Sequence, residues 1–224
     1  MKFSWKYFAR MVANLILVAL LTAGFLSAPV RVKPVQAEMA ETAPIYLPVL
    51  MKVPRPPVFG AQIKPQNITL LKGLLTESGI TWLRVEAFDW SKIEPSNADP
   101  AVYDWSKVRE SALKTADARG LEIIGIVKFA PSWAQAKPPY KCGPIRQDAF
   151  DEFARFLGEL VRRYSVPPYN IKYWELGNEP DIDPSLIGEN SGFGCWGDRN
   201  DPYYGGRYYG EMLKAAYPAI KSAD

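Results

Sequence analysis

At 224 residues the chain is long enough for one domain with a sizeable core, but short of the roughly 250 residues of a complete eight-fold α/β barrel. It contains no histidine, so Ser-His-Asp triads, Cys-His pairs and His-Glu-x-x-His zinc sites are excluded as usually built, and its two cysteines, Cys142 and Cys195, are too few for a zinc cluster. Acid–base work therefore falls to carboxylates, and neither a metal nor a cofactor is expected. The formal charge of +3 becomes −2 (3 − 5) once residues 1–37 are set aside, because Lys2, Lys6, Arg10, Arg31 and Lys33 lie there without an acidic residue. That mildly acidic remainder argues against a nucleic-acid partner, which would need a basic stripe.

Residues 1–37 read as an export segment: a basic start, an apolar run over residues 11–26, then small residues around Val35-Gln36-Ala37. It is either a cleaved signal peptide or an uncleaved membrane anchor. Both place the remainder outside the cytoplasm, secreted or at the cell surface, with membrane contact confined to this segment. Residues 38–57 hold Pro44, Pro48, Pro54, Pro56 and Pro57 without periodicity and read as a Pro-rich linker.

From Val58 the pattern alternates between strand and helix. Residues 58–63 predict a first strand, and Ile68, Leu71, Leu74 and Leu75 form the apolar face of a helix closed by Gly79. A second strand covers 81–86. Asp104 then caps a helix running to Arg119, with Trp105, Val108, Leu113 and Ala116 inward and Gly120 ending it. The very apolar run 121–128 fits a strand of a parallel sheet covered on both faces. A third helix spans 147–164 through Phe150, Phe153, Phe156, Leu157, Leu160 and Val161. The fourth strand begins at Ile171, and a fourth helix starts near Asp201-Pro202, carries Met212, Leu213 and Ile220, and bends at Pro218. Four strand–helix units imply a parallel sheet. The long loops after strands two, three and four lie at one end of it, where barrel enzymes build their sites.

The fourth strand ends in Trp174-Glu175-x-x-Asn178-Glu179-Pro180, which puts a carboxylic acid where a strand yields to a loop. This motif resembles the strand-four signature of the clan A retaining glycoside hydrolases, the barrel group that includes the family 5 cellulases and family 39 xylosidases. Arg84 near the end of strand two and Pro131-x-Trp133 after strand three also match that pattern. The resemblance covers residues 58–224 and implies the first four units of a (β/α)8 TIM-type barrel that hydrolyses O-glycosidic bonds in an oligo- or polysaccharide. It makes Glu179 the general acid/base and gives Asn178 a hydrogen bond to the sugar 2-hydroxyl that strengthens in the oxocarbenium-like transition state. Arg84 would hold the catalytic carboxylates ionised, or else pair structurally with Glu86 or Glu175. Trp133 would stack on the sugar, with Trp90 or Trp196 as further platforms; core packing is the alternative for each.

By strand alternation Glu175, Gly177 and Glu179 share one face unless a bulge at Asn178 intervenes, and Glu175 supports Glu179 by hydrogen bonding. Relatives in the clan place histidine near these strand ends, which leaves Lys128, Tyr140 or Asn190 as substitutes. Cys142 and Cys195 fall in the neighbouring loops after strands three and four, either as a disulfide clamping the rim or as two buried thiols. The second carboxylate of a retaining enzyme, about 5–5.5 Å from the first, comes from strand seven in the clan and is expected beyond Asp224. A carbohydrate-binding barrel without catalysis and a surface scaffold are the competing readings.

Overall fold

The computed structural model describes residues 59–189 and 191–224. The export segment, the linker, Val58 and Asn190 lie outside the described residues. Four strands, β1 (Gly60–Ile63), β2 (Trp82–Asp89), β3 (Glu122–Lys128) and β4 (Tyr173–Leu176), form one parallel sheet in the order β1-β2-β3-β4. Each strand is followed by helix: α1 (Pro65–Leu70) and α2 (Lys72–Glu77) after β1, the short α3 (Trp90–Ile93) and α4 (Glu110–Asp117) after β2, α5 (Phe150–Tyr164) after β3, and α6 (Gly206–Ala223) after β4. This sequential parallel order is the arrangement of a partial (β/α) barrel. Among the described residues no helix is long and apolar enough to cross a membrane.

The sheet separates two chemistries. Leu83 and Val85 of β2 are buried toward the helices, whereas Arg84 and Glu86 alternate onto the opposite face. Between Val85 and Phe88 the register slips, so that Glu86 and Ala87 oppose a single residue of β3. This bulge returns Phe88 to the helix-facing side, where its ring meets Tyr164 of α5 and Trp174 of β4 at 5.0 and 5.6 Å. Gly125 permits that convergence, since a Cβ there would lie 2.9 Å from the Phe88 ring.

The third helix forms as its periodicity predicts, after a 3-10 turn at Gln147–Ala149, and buries all six apolar residues of its stripe. Gly79 and Gly120 end their helices with φ of 72° and 67°, a left-handed conformation that glycine adopts without steric cost.

Other elements differ from expectation. The first helix is broken at Leu71 into α1 and α2, which leaves Leu74 exposed and only Ile68 and Leu75 fully buried. Asp104 does act as a cap, accepting the Ser106 N–H, but of a single 3-10 turn (Trp105–Lys107). Extended backbone at Val108 separates that turn from α4. The fourth helix starts at Gly206 rather than near Asp201, because the Asp201 carboxylate accepts the N–H groups of Tyr203 and Gly205 and holds a turn. It continues through Pro218 to Ala223.

The aromatic centre of the core is Phe156, fully buried, with Trp90 and Phe153 stacked or tilted around it and Trp105 at 6.3 Å. Phe156→Ala is expected to lower the unfolding free energy by about 3–5 kcal/mol. Urea titration followed by tryptophan fluorescence measures this, and a loss below about 1 kcal/mol would show that the ring is not held as described.

Candidate active site

Arg84 stands on the helix-free face of β2, and the ladder places Ile124 of β3 between it and β4. Its guanidinium crosses that strand. Nε donates to Glu175 Oε2 at 2.8 Å, Nη2 donates to Glu175 Oε1 and, at 2.9 Å, to Asn178 Oδ1. Nη1 donates to Gln62 Oε1 of β1 at 2.7 Å. One side chain thus joins β1 and β4, although Arg84 is rooted in the third residue of β2 and not near the end of that strand as expected, because β2 continues to Asp89. The Glu175 hydrogen bond raises the Arg84 pKa above its ordinary value, with further support from the charges of Glu86 and Glu179 and against the cost of burial, so the guanidinium is a permanent cation.

A second ion pair lies alongside. Lys128, at the end of β3 and with only 10% of its side chain exposed, donates to Glu86 Oε2 at 2.8 Å and to the Gly192 carbonyl at 3.0 Å. Gln62 Nε2 reaches Glu86 Oε1 at 3.3 Å and links the two clusters. Among the described residues no group of His, Cys, Asp or Glu is placed to hold a metal ion.

Beyond Leu176 the strand pattern fails. The Gly177 N–H still reaches the Val127 carbonyl at 2.8 Å, but Gly177 has φ of 84° and Glu179 has φ of 49°. The turn therefore delivers Asn178, not Glu179, to the Glu175 side of Arg84, and the shared face expected for Glu175, Gly177 and Glu179 is not formed. Asn178 is buried, whereas Glu179 is exposed on the rim, close enough to contribute to the field at Arg84. Among the described residues the Glu179 carboxylate has no hydrogen bond or ion pair. A non-glycine residue held at positive φ costs on the order of 1–3 kcal/mol and needs its surroundings to impose it.

Those surroundings are the loop that follows. The Gly194 N–H donates to the Asn178 carbonyl, Trp196 N–H to the Pro180 carbonyl at 2.9 Å, and Cys195 N–H to the Cys142 carbonyl at 3.1 Å. Gly194 must be glycine for this contact, since a Cβ would lie 2.5 Å from Pro180 Cα. Cys142 and Cys195 are joined in a disulfide, their Cα atoms 5.2 Å apart, which ties the loop after β3 to the loop after β4.

The tryptophans form a different group. Trp90 is 1% exposed, packs on Phe153 at 4.8 Å and donates Nε1–H to Glu94 Oε2 at 2.8 Å. It is a core residue, and the expectation that it offers a platform to ligand is corrected. Trp196 is also buried, edge-on to Tyr209, and is likewise no platform. Trp133 is half-buried, edge-to-face on Trp90 at 5.3 Å, with Nε1–H directed to the Glu94 carbonyl at 3.3 Å. Among the described residues no hydrogen bond or ring contact joins Trp133 to Arg84 or Glu179. Two participants were missed in the sequence. Gln62 carries no motif, although its place at the end of β1 could have been read from alternation. Glu94 is fully buried, with Arg155 Nη2 on Oε1 at 2.8 Å; burial pushes its carboxyl up, against the pull of Trp90 and Arg155.

No protein-family model matches the chain, and no curated protein matches it. Solved structures do. A family 39 glycoside hydrolase from the gut symbiont Bacteroides cellulosilyticus WH2 aligns with a TM-score of 0.51 and 18% identity over 74% of this chain and 29% of that one. A GH39 β-xylosidase from Caulobacter crescentus gives 0.51 and 21% over 75% and 37%, and a GH39 enzyme from Xanthomonas axonopodis pv. citri gives 0.53 and 16% over 75% and 33%. The chain spans about a third of the length of these structures. At such identities the likeness is one of fold, that of a glycoside hydrolase barrel.

Replacing Cys142 and Cys195 together by serine is expected to cost up to about 4 kcal/mol on the loop-entropy estimate for a 53-residue separation. It should also speed amide exchange at Gly194 and Trp196. Unchanged exchange at both amides would show that the bridge does not brace the turn carrying Glu179.

Proposed function

We propose that the chain supplies the acid–base half of an exported retaining O-glycosidase acting on an oligo- or polysaccharide. The observation that carries this reading is the Arg84 cluster: a permanent cation binds Glu175 and Asn178 at the end of β4, and the next residue, Glu179, is left unpaired on the rim among the described residues. The fold shared with glycoside hydrolase barrels supports it. Export is supported by the basic and apolar order of residues 1–37 and by the disulfide, which persists in oxidising compartments.

In the first step the protonated Glu179 gives its proton to the glycosidic oxygen as the C–O bond breaks, while a second carboxylate forms a glycosyl ester. In the second, the Glu179 carboxylate removes a proton from water as that water attacks the anomeric carbon and releases the ester. Asn178, oriented through its Oδ1 by Arg84, keeps its amide N–H groups for a sugar hydroxyl. Arg84 fixes Glu175 by two hydrogen bonds, from Nε and Nη2. The second carboxylate is assigned to strands other than β1 to β4.

The test places these four units in an eight-strand barrel and measures hydrolysis of glycosides with poor and good leaving groups. Glu179→Gln should reduce kcat/KM by about 10²–10⁴-fold on alkyl glycosides. It should affect dinitrophenyl glycosides far less in the bond-breaking step, because that leaving group departs without protonation. Equal losses on both, or no loss, would remove Glu179 from the acid role. The 224-residue chain alone should show no turnover above background.

A further inference from the structure

Beside the Arg84 cluster, at the C-terminal ends of β2 and β3, lies a hollow of about 250 Å³. At ~30 Å³ per water molecule this is the space of about eight waters, the scale of one pyranose. Four cations, Lys92, Lys107, Arg109 and Lys128, line it against two carboxylates, Glu86 and Asp89. Both carboxylates are already committed: Glu86 to Lys128 at 2.8 Å, Asp89 to Lys92 at 2.7 Å. Lys107 faces Asp104 at 3.2 Å in an exposed pair, which solvent weakens. Arg109 has no hydrogen bond or ion pair among the described residues. The hollow therefore carries surplus positive charge.

Its floor is built rather than incidental. Lys128 is nearly buried, and two of its three N–H groups are used by Glu86 and the Gly192 carbonyl, which leaves one donor. One wall is Phe129, a bulky residue held at φ of 63°, a conformation its side chain disfavours and its neighbours must enforce. The Gln66 amide adds a neutral donor and acceptor. A cationic rim, a buried donor and an aromatic wall are together the requirements of a sugar ring bearing an anionic substituent. Glu86 also accepts from Gln62, which holds Arg84, so the hollow is continuous by hydrogen bonds with the proposed catalytic cluster.

We propose that this hollow is a subsite for an acidic sugar. The carboxylate of a uronosyl residue is received by Arg109 and Lys107, and a hydroxyl by Lys128. The glycan handled by the neighbouring cleft is accordingly one that carries uronic acid residues. This substrate class rests on the glycosidase reading above, whereas binding of the acidic sugar itself does not.

The experiment titrates the full 224-residue chain with sodium glucuronate, with glucose and with sodium sulfate at constant ionic strength, by calorimetry or by backbone amide shifts. Glucuronate should bind about tenfold more tightly than glucose, the size expected of one charge-assisted contact. That preference should vanish in the Arg109→Gln, Lys107→Gln double variant, whose substituted residues are both exposed. Glucuronate binding should persist in Glu179→Gln, so failure of the hydrolytic reading leaves this result standing, and the converse also holds. Glucuronate binding no tighter than glucose, or unchanged in the double variant, would overturn the subsite. Sulfate binding as tightly as glucuronate would overturn it too, since the hollow would then recognise charge without the sugar.

Discussion

The arrangement depends on one arginine reaching across a strand. Neighbouring strands lie about 4.8 Å apart, so the roughly 10 Å between β2 and β4 is bridged by the Arg84 and Glu175 side chains together, meeting above β3. At the level of Arg84 β3 contributes Ile124, and the pairing of Ile126 with Glu175 brings the acceptor two residues further up the ladder. The guanidinium is therefore drawn toward the strand ends, where loops begin. Its planar fork explains why this position is arginine: it serves Glu175, Asn178 and Gln62 at once, which the point charge of a lysine could not do with fixed direction.

Around that tie the loops are laminated. The turn through 178–180 is strained at Glu179, and the 194–197 segment lies on it by backbone hydrogen bonds, with the disulfide fixing this segment in turn to the loop after β3. Each layer uses main-chain groups, so the geometry of the turn depends little on the identity of most loop side chains. The exceptions are glycines, where backbone approaches backbone too closely for a Cβ. Rigid strands, a braced loop and an exposed carboxylate at the end form a chain of support from core to rim.

Much of the sheet was legible because its cause is local. A strand rich in Ile and Val between Gly120 and Lys128, or a helix repeating Phe and Leu at intervals of three and four, admits one reading. The cysteine pairing was also visible, through the expected adjacency of two loops. What the sequence hid was set by tertiary choice. Trp90 looks like a surface aromatic in a loop, yet a one-turn helix at Trp90–Ile93 swings it into the core, where Glu94 satisfies its indole N–H. The reversal at 177–179 depends on left-handed backbone that alternation cannot anticipate. Gln62 matters only because strands far apart in the chain bring Arg84 and Glu86 to it.

The carboxylates of β2, β4 and the turn show how charge pairing selects a role. Four are present: Glu86, Asp89, Glu175 and Glu179. Lys128 holds the first, Lys92 the second and Arg84 the third. Each of these three is committed to the cation that faces it, and a ligand would have to displace that cation to reach the carboxylate. Of these four, only Glu179 lacks such a partner among the described residues, and it stands at the rim on a turn of positive φ. Moving any of the three cations would change which acid is free. In a chain without histidine, the placement of arginine and lysine distinguishes the carboxylates at these strand ends, and of the four it leaves Glu179 without a cation among the described residues.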